Sequence, residues 1–189
     1  MRNLVFTGRF QPLHLGHINT LKNIKHMFPN DLLIICIIRN TTKEEIPLEN
    51  NSFYQLSKDK QQSVNNPLPN WNRYMLLKLA IEADKELSSN TIILFRDRSD
   101  IDWEKSIKDL PIERVFLLPS YNKESFDQEK LKYYQLKNEK IEFIQGSKDG
   151  FMSATDIRNQ LKNGNYNLEF LPNVCKEYFK NECLKYFIE

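Results

Sequence analysis

The chain has 189 residues, of which 40% are hydrophobic and 12% aromatic, a composition typical of a globular domain and not of a disordered chain. Its 27 basic and 25 acidic side chains nearly cancel, and a net charge of +2 does not indicate a nucleic-acid-binding protein. Residues 1–6 are too short an apolar run for a signal peptide, and no run reaches the length of about 18 residues that a membrane span needs.

The first part of the chain alternates short apolar runs with an amphipathic segment. Residues 3–7 are β-branched and aromatic, and residues 31–38 are almost continuously apolar, which favours buried strands of a parallel sheet. Between them, apolar residues recur at helical spacing and predict a helix over residues 14–27. Residues 40–69 are polar and carry three prolines, so we expect a functional loop or a partly ordered insert there.

The rest of the chain continues the alternation of strands and helices. Asn70 is the predicted N-cap of a helix over residues 71–87. Further strands are predicted at residues 91–95, 114–118 and 141–144, and helices at 124–138, 154–162 and 172–187, the last within a C-terminal helical segment over 165–189. This order predicts an α/β fold, a doubly wound Rossmann-like parallel sheet with helices on both faces, as a single domain over residues 1–189. Ligands of such sheets bind beyond the carboxyl ends of the strands.

The three cysteines give no sign of a disulfide framework or a zinc site, because none forms a C-x-x-C pair. Cys36 lies in an apolar run, and Cys175 and Cys183 lie in the helical segment near the end of the chain. We expect buried or half-buried thiols in a reducing compartment, and therefore a cytoplasmic protein.

Residues 8–17 have the position of a phosphate-binding turn, between the first strand and the first helix. Their sequence, Gly-Arg-Phe-Gln-Pro-Leu-His-Leu-Gly-His, is neither a P-loop nor the G-x-G-x-x-G dinucleotide fingerprint. His14 and His17 are three positions apart and share a helix face, where the helix N-terminus already favours an anion. Imidazole N–H groups there can donate to a phosphate, and Arg9 and Gln11 add donors from the turn.

Two other interpretations of the histidines remain open at this point. A pair three positions apart is compatible with a metal site, which needs a third ligand, and His26 lies too far along the helix to supply it. A capping or surface role is the ordinary one for an isolated histidine. Two of the three histidines in the chain fall within this one turn, however, which favours a shared function.

Residues 152–158 form a second motif, Met-Ser-Ala-Thr-Asp-Ile-Arg, at the start of a predicted helix. Ser153 and Thr155 have N-cap chemistry, and the helix N-terminus offers free amides. Arg158 lies one turn after Thr155, so its guanidinium can return towards the same anion. An ordinary capped helix with a surface arginine explains the motif equally well when it is taken alone.

The two motifs together resemble those of the HxGH nucleotidylyltransferase superfamily. Residues 8–17 match every specified position of its G-x-F-x-P-x-H-x-G-H signature, and the string of residues 8–12 is most similar to the archaeal-type nicotinamide-nucleotide adenylyltransferases. Residues 152–158 resemble the I-S-x-T-x-[IV]-R element of the family, with Met152 in place of isoleucine. The order and separation of the motifs also fit, and the resemblance extends from residue 1 to about residue 164.

The resemblance implies transfer of AMP from ATP, with Mg²⁺, to nicotinamide or nicotinate mononucleotide. The acceptor phosphate would attack the α-phosphate directly, without a covalent enzyme intermediate, and pyrophosphate would leave. Catalytic roles are implied for His14, His17 and Arg158. The residues that would hold the ATP phosphates are Gly8, Arg9, Phe10, Gln11, Gly16, Ser153 and Thr155.

Four further residues are candidates for binding the acceptor. Arg39 directly follows the second predicted strand, where related adenylyltransferases often place a nucleotide-contacting loop, although the loop here is longer and departs from the archaeal pattern. Arg73 follows a loop that resembles one next to the substrate site of the family. Asp100 and Trp103 fall in a polar cluster after the third strand, where Trp103 could stack on a flat ring. A helix-start cluster with an aspartate cap explains that last pair equally well.

Alternative functions also remain open. One is a related enzyme that uses CTP or another phosphorylated acceptor, such as phosphopantetheine, a flavin nucleotide or a lipid precursor. Another is a regulatory module that binds nucleotide without turnover. In each case we expect small-molecule partners, ATP and a mononucleotide in the favoured one, rather than nucleic acid or a membrane, and the sequence is compatible with a homo-oligomer.

Overall fold

The computed structural model describes residues 1–40, 46–49, 51–58, 65–119, 125–145 and 150–188. Its centre is a five-stranded sheet of order β3-β2-β1-β4-β5, in which every neighbouring pair is parallel. The strands are β1 (Asn3–Gly8), β2 (Leu32–Ile38), β3 (Thr91–Arg96), β4 (Val115–Pro119) and β5 (Lys140–Ile144). The sheet confirms the predicted α/β fold, and each predicted strand is present to within a residue or so.

The helices follow the strands in the predicted order. Within the described residues they are α1 (Leu15–Met27), α2 (Ser52–Ser57), α3 (Asn70–Glu82), α4 (Lys85–Ser88), α5 (Trp103–Ile107), α6 (Ser125–Leu136), α7 (Ala154–Lys162), α8 (Asn173–Tyr178) and α9 (Lys185–Ile188), with a π-helical turn at Phe179–Cys183 between the last two. No helix in this described part of the chain has both the length and the apolar character to span a bilayer.

Both faces of the sheet are buried, as the continuous apolar run of β2 predicts. On one face, Leu4 and Leu33 belong to a cluster that includes apolar residues of α1, α3, α7 and the C-terminal helices. On the other face, Val5 and Ile34 pack in a second cluster with Trp103 of α5 and the tyrosines of α6. Helices therefore cover the two faces separately, which is the doubly wound arrangement.

Four details differ from the sequence-based predictions or lie outside them. The single helix predicted over residues 71–87 is two helices, α3 and α4, with Asp84 as the N-cap of the second. Asn70 is not the N-cap of α3: Pro69 takes that position, and the Asn70 side-chain oxygen accepts from the backbone N–H of Asn40 instead. The polar segment over 40–69 contains a helix, α2, in its described part. Glu124, at the predicted start of α6, lies outside the described residues.

The C-terminal segment packs into the main core. Cys175, Phe179, Cys183 and Phe187 are all buried there, at spacings that a continuous helix with one π-helical turn brings to a single face. Burial raises the pKa of the Cys175 thiol to about 12, so this cysteine is an inert core residue at neutral pH.

Candidate active site

The sheet changes direction of winding between β1 and β4, so the carboxyl end of β1 is the place where such folds bind ligands. Residues 8–17 start there. Phe10 has a left-handed backbone, with φ of +52°, and its ring folds back over Gly8. A Cβ at Gly8 would lie 2.9 Å from two carbons of that ring. Glycine is therefore required at position 8 because the ring of Phe10 occupies the space of a side chain.

The two histidines meet at the start of α1. His14 is the N-cap and His17 lies in the first turn, and their ring centroids are 3.7 Å apart. The backbone N–H of His14 donates to Nδ1 of His17 at 3.3 Å, so the proton of a neutral His17 ring is on Nε2. The ring of Phe10 packs on His17 at a centroid distance of 5.0 Å.

Gly16 makes room for this arrangement. A Cβ at Gly16 would lie 3.0 Å from Cε1 and Nδ1 of His14 and 3.2 Å from the Cβ of Phe151. The missing side chain thus lets the ring of His14 lie against the helix and lets the segment before α7 approach α1. Gly16 of the H-x-G-H pattern therefore allows the first motif to approach the residue that precedes the second motif.

Burial keeps both imidazoles neutral in the absence of an anion. It lowers the pKa of His14 to about 4 and, together with repulsion between the protonated ring and its neighbours His14 and Arg9, lowers the pKa of His17 well below its ordinary value. Nδ1 of His14 is buried without a hydrogen-bond partner among the described residues. Two neutral rings can donate hydrogen bonds to a phosphate, and a bound anion would raise their pKa.

Three arginines converge behind the histidines. Arg158, on α7, donates from Nη1 to the backbone oxygen of Gln11 at 2.8 Å and from Nη2 to the hydroxyl of Thr155 at 3.1 Å. Burial lowers the pKa of Arg9 to about 10, helped by the positive charge of Arg158. Burial likewise lowers the pKa of Arg73 to about 10, helped by Arg9. Cations that depress one another's pKa in this way favour an anionic ligand.

Met152 of the second motif and His14 and Gly16 of the first line a common cavity of about 230 Å³. Its lining residues are His14, Leu15, Gly16, Gly150, Phe151, Met152, Glu169 and Phe170. Ser153 caps α7, because its hydroxyl oxygen accepts from the Asp156 backbone N–H at 3.2 Å. Ser153 and Thr155 are both exposed, so their hydroxyls can reach a ligand from solvent. The structure thus brings both motifs to one place.

Sequence reasoning gave no signal for the Phe170 part of this wall. The backbone oxygen of Phe170 accepts from the Leu15 N–H at 2.8 Å, which fixes the C-terminal segment against the first turn of α1. This contact is made by backbone atoms, so no pattern of side chains in the sequence predicts it.

Gln11 points into the protein. Its Nε2 donates to the backbone oxygen of Leu68 at 2.9 Å, and its Oε1 accepts from the Leu68 N–H, also at 2.9 Å. Only 2% of Gln11 is exposed. The side chain of Arg9, by contrast, lies among the arginines described above.

The four acceptor candidates are placed very differently. Arg39 is at the carboxyl end of β2, with 48% of its side chain exposed and Nε 3.7 Å from Oδ1 of Asp97. Arg73 is fully buried, and its Nη1 donates to the backbone oxygens of Arg9 and Ile38, each at 2.7 Å. The structure brings Arg39 to the open edge and Arg73 behind the signature turn.

Asp100 and Trp103 are packed inside the protein in this structure. Asp100 forms a buried ion pair with Arg98 at 2.5 Å and also accepts from the Ser57 hydroxyl. The ring of Trp103 is 6% exposed and packs edge-on against Tyr134 at 5.2 Å. Asp102, between them, caps α5 by accepting from the Lys105 N–H at 3.0 Å. These contacts agree with the alternative interpretation of the sequence, a helix-start cluster with an aspartate cap.

The described residues hold no group of three or more histidine, cysteine, aspartate or glutamate side chains that could bind a metal ion. The named polar side chains of the site are imidazoles, guanidiniums and hydroxyls, apart from the carboxylate of Glu169, which pairs with Lys176 at 2.7 Å. A divalent cation here would need phosphate oxygens and water as its ligands.

Comparison with known proteins bears on the family and the fold. The sequence model of the cytidylyltransferase-like family matches residues 5–160. No curated protein matches the chain. Two solved structures of the bifunctional NMN adenylyltransferase/ADP ribose pyrophosphatase of Francisella tularensis are similar to it, one of them complexed with AMP and a Mn ion.

The first of these structures has a TM-score of 0.61 at 16% identity and covers 99% of this chain and 52% of its own. The second has a TM-score of 0.60 at 16% identity and covers 97% of this chain and 51% of its own. Identity this low supports a shared fold alone, and the chain spans about half the length of these proteins.

Proposed function

Because the chain belongs to the cytidylyltransferase-like family, we propose that it is a nucleotidylyltransferase that moves AMP from ATP to nicotinamide or nicotinate mononucleotide. The observation that carries the proposal is the convergence of His14, His17, Arg9 and Arg158 at the carboxyl end of β1. Neutral donors and buried cations at this point suit a triphosphate.

The reaction is an in-line displacement at the α-phosphorus of ATP. An oxygen of the acceptor phosphate forms the new bond to phosphorus, and the bond to the α,β-bridging oxygen breaks, so pyrophosphate leaves with the electron pair. The acceptor supplies its own nucleophile, and the protein therefore has to align the reactants and stabilise charge. His14 and His17 donate to the α- and β-phosphates, and Arg158 with the Ser153 and Thr155 hydroxyls holds the leaving pyrophosphate.

The cavity beside His14 suits the nucleoside end of the triphosphate. Its walls are largely apolar side chains, those of Leu15, Phe151, Met152 and Phe170, and a volume of about 230 Å³ accommodates a flat base. A Mg²⁺ ion would be held by phosphate oxygens and water rather than by a protein cage, and it would supply positive charge that offsets the charge of the phosphates.

Arg39 is our candidate for contact with the acceptor phosphate, since it is an exposed cation at the same edge of the sheet. Arg73 supports the site from inside the protein through its bond to the Arg9 oxygen, whereas Asp100 and Trp103 are buried in contacts with other parts of the chain. The second candidate function is transfer of a cytidylyl group, which the description of the matching family favours.

Pyrophosphate release with ATP, Mg²⁺ and a panel of acceptors tests the proposal. The panel contains nicotinamide mononucleotide, nicotinate mononucleotide, phosphopantetheine and flavin mononucleotide, and each is repeated with CTP. Turnover with a pyridine mononucleotide and ATP supports the proposed reaction. Turnover only with another acceptor or with CTP keeps the chemistry and replaces the substrate, and ATP binding without any turnover identifies a binding module.

The same assay tests the role of the histidines. His17→Ala should lose most of kcat and remain folded, because alanine is favourable in the helix turn that His17 occupies. His26→Ala is the matched control, an exposed histidine at the far end of α1, and should keep wild-type turnover. Near-normal kcat in His17→Ala would exclude the proposed role.

A further inference from the structure

Gln11, Asn40 and the backbone of Leu68 form a buried set of amide hydrogen bonds, here called the amide clamp. It connects the signature turn to the residues that begin and end the polar segment over 40–69. Gln11 holds the N–H and the oxygen of Leu68 at once, in the manner of a neighbouring strand, and its Nε2 also donates to Oδ1 of Asn40 at 3.2 Å. Gln11 is not among the residues that line the cavity adjoining His14.

Asn40 is held from several directions. Its Nδ2 donates to the backbone oxygens of Asn66 at 3.1 Å and Leu68 at 2.8 Å. Its backbone N–H donates to the side-chain oxygen of Asn70 at 2.9 Å. The carboxyl end of β2 and the start of α3 are thereby fixed to each other through one residue.

The amide clamp continues into both phosphate-binding motifs. Arg158 donates to the backbone oxygen of Gln11, and Arg73 donates to the backbone oxygens of Arg9 and Ile38 and to the side chain of Asn70. A buried network of this kind holds its members in one geometry, because each unmade hydrogen bond would leave a buried polar group unpaired.

This network fixes the backbone on both sides of Arg39, a residue whose side chain reaches solvent. Arg39 lies between Ile38, whose oxygen binds Arg73, and Asn40, which the clamp holds. Its own N–H donates to the Arg96 oxygen at 2.9 Å, so its backbone is fixed on both sides while its side chain stays half exposed. A fixed backbone with an exposed cationic end is suited to binding an anion at a defined distance from the signature turn.

We propose that Gln11 is a positioning residue for the acceptor rather than a ligand of the ATP phosphates. Through the amide clamp it places Asn40, and therefore Arg39, relative to the histidines that bind the triphosphate. The proposal rests on the proposed function, in which Arg39 contacts the acceptor phosphate. The side chain of Gln11 bonds both ends of the polar segment. Its role is therefore in binding the acceptor, although it lies in the turn that binds ATP.

Steady-state kinetics with both substrates varied separates the two roles of Gln11. Gln11→Met keeps the length of the side chain and removes its hydrogen bonds. We expect KM for the acceptor to rise about tenfold or more, the equivalent of one lost buried hydrogen bond, with KM for ATP changing less than about twofold. Asn40→Ala should give the same pattern, and the double variant should be little worse than either single variant.

Gln135→Met is the matched control, since Gln135 is exposed on α6 away from the site, and it should leave both KM values unchanged. ATP binding by calorimetry checks that each variant is folded, and Asn40→Ala carries the test if Gln11→Met does not fold. A rise in KM for ATP equal to that for the acceptor would overturn the proposal and make Gln11 a phosphate ligand. Unchanged acceptor KM in an active variant would also overturn it, whereas a wild-type protein without turnover contradicts the proposed function itself.

Discussion

The ring of Phe10 occupies the space that a side chain at position 8 would need, and the same ring packs on His17. In Gly8→Ala the new Cβ would meet the Phe10 ring at 2.9 Å, so the ring must move, and it packs directly on His17. We expect a loss of about 1–3 kcal/mol of unfolding free energy, typical of overpacking, together with a large fall in kcat. Urea denaturation and pyrophosphate release measure the two effects.

Gly164→Ala controls for backbone strain without crowding. Gly164 has φ of +79°, and no atom lies within 4 Å of the place that a Cβ would take, so alanine there should cost about 1–2 kcal/mol of stability and leave kcat unchanged. If Gly8→Ala loses stability but keeps wild-type kcat, the ring of Phe10 does not position His17.

The neutral state of His14 predicts a pH dependence of stability. Its pKa is about 4 in the folded chain against an ordinary 6.5, so between these values the unfolded chain binds a proton that the folded chain does not. Stability should therefore fall as pH is lowered from about 6.5 to 4, by at most about 1.4 kcal/mol per pH unit for this group. His17 acts in the same direction.

Urea midpoints between pH 4 and 7 for the wild type and His14→Gln isolate this contribution, because the carboxylates that also titrate are common to both. The slope for the variant should be shallower. Pyrophosphate should reduce the wild-type slope as well, since a bound anion favours the protonated rings. Parallel profiles without ligand would show that His14 is not buried in the neutral form.

At the scale of single residues, the sequence predicts which side chains belong to the site better than it predicts the directions in which those side chains point. The spacing of His14 and His17 predicts a shared face, and their rings do lie together. Gln11 and Trp103 are polar or amphipathic residues in the right segments, yet both side chains are directed inward. Direction depends on partners such as Leu68 and Tyr134, which are distant in sequence and give no local pattern.

At the scale of elements, α7 is joined to the signature turn by Arg158. Its two N–H donors reach different elements, the Gln11 oxygen and the Thr155 hydroxyl, and lysine cannot make both bonds although it keeps the charge. Arg158→Lys should therefore lower kcat/KM for ATP about tenfold or more and reduce stability by about 1–2 kcal/mol.

Initial rates over a range of ATP concentrations measure the effect of Arg158→Lys. Lys162→Met, at the exposed end of the same helix, is the control and should behave as the wild type. Wild-type kcat/KM in Arg158→Lys would mean that positive charge at this position is sufficient.

The sequence predicts best those elements whose apolar residues form a clear local pattern. The apolar run of β2 and the helical spacing in α1 need no knowledge of the rest of the chain. The described part of the polar segment is different, because long-range bonds hold it. Leu48 donates to the Ile101 oxygen at 2.9 Å, and Ser57 bonds the buried Asp100. No local pattern encodes such contacts.

At the scale of the whole molecule, the two halves of the chain meet at the start of α1. The N-terminal half supplies the signature turn, and the C-terminal segment supplies the Phe170 oxygen that accepts from Leu15. The topological switch between β1 and β4 leaves an open edge at this point, and segments from both halves of the chain contribute walls to it. The site therefore depends on packing far from the two motifs.

Phe179 is the residue that tests this dependence. It is fully buried, with ring centroids 5.7 Å from both Phe170 and Phe187, so it holds the C-terminal helices on the main core. Phe179→Ala should cost about 3–5 kcal/mol of unfolding free energy, the range for a large aromatic removed from a core. It should also raise KM for ATP, because Phe170 lines the cavity and bonds the first turn of α1.

Tyr186→Ala, on the exposed side of the same helical segment, should change stability by no more than about 0.5 kcal/mol. Urea denaturation of both variants, followed by ATP kinetics at a concentration of urea where each is folded, measures the two quantities separately. A loss below about 1 kcal/mol in Phe179→Ala, with normal KM, would make the residues after Gly164 an appendage. The expected loss makes them part of the core on which the proposed phosphate site is built.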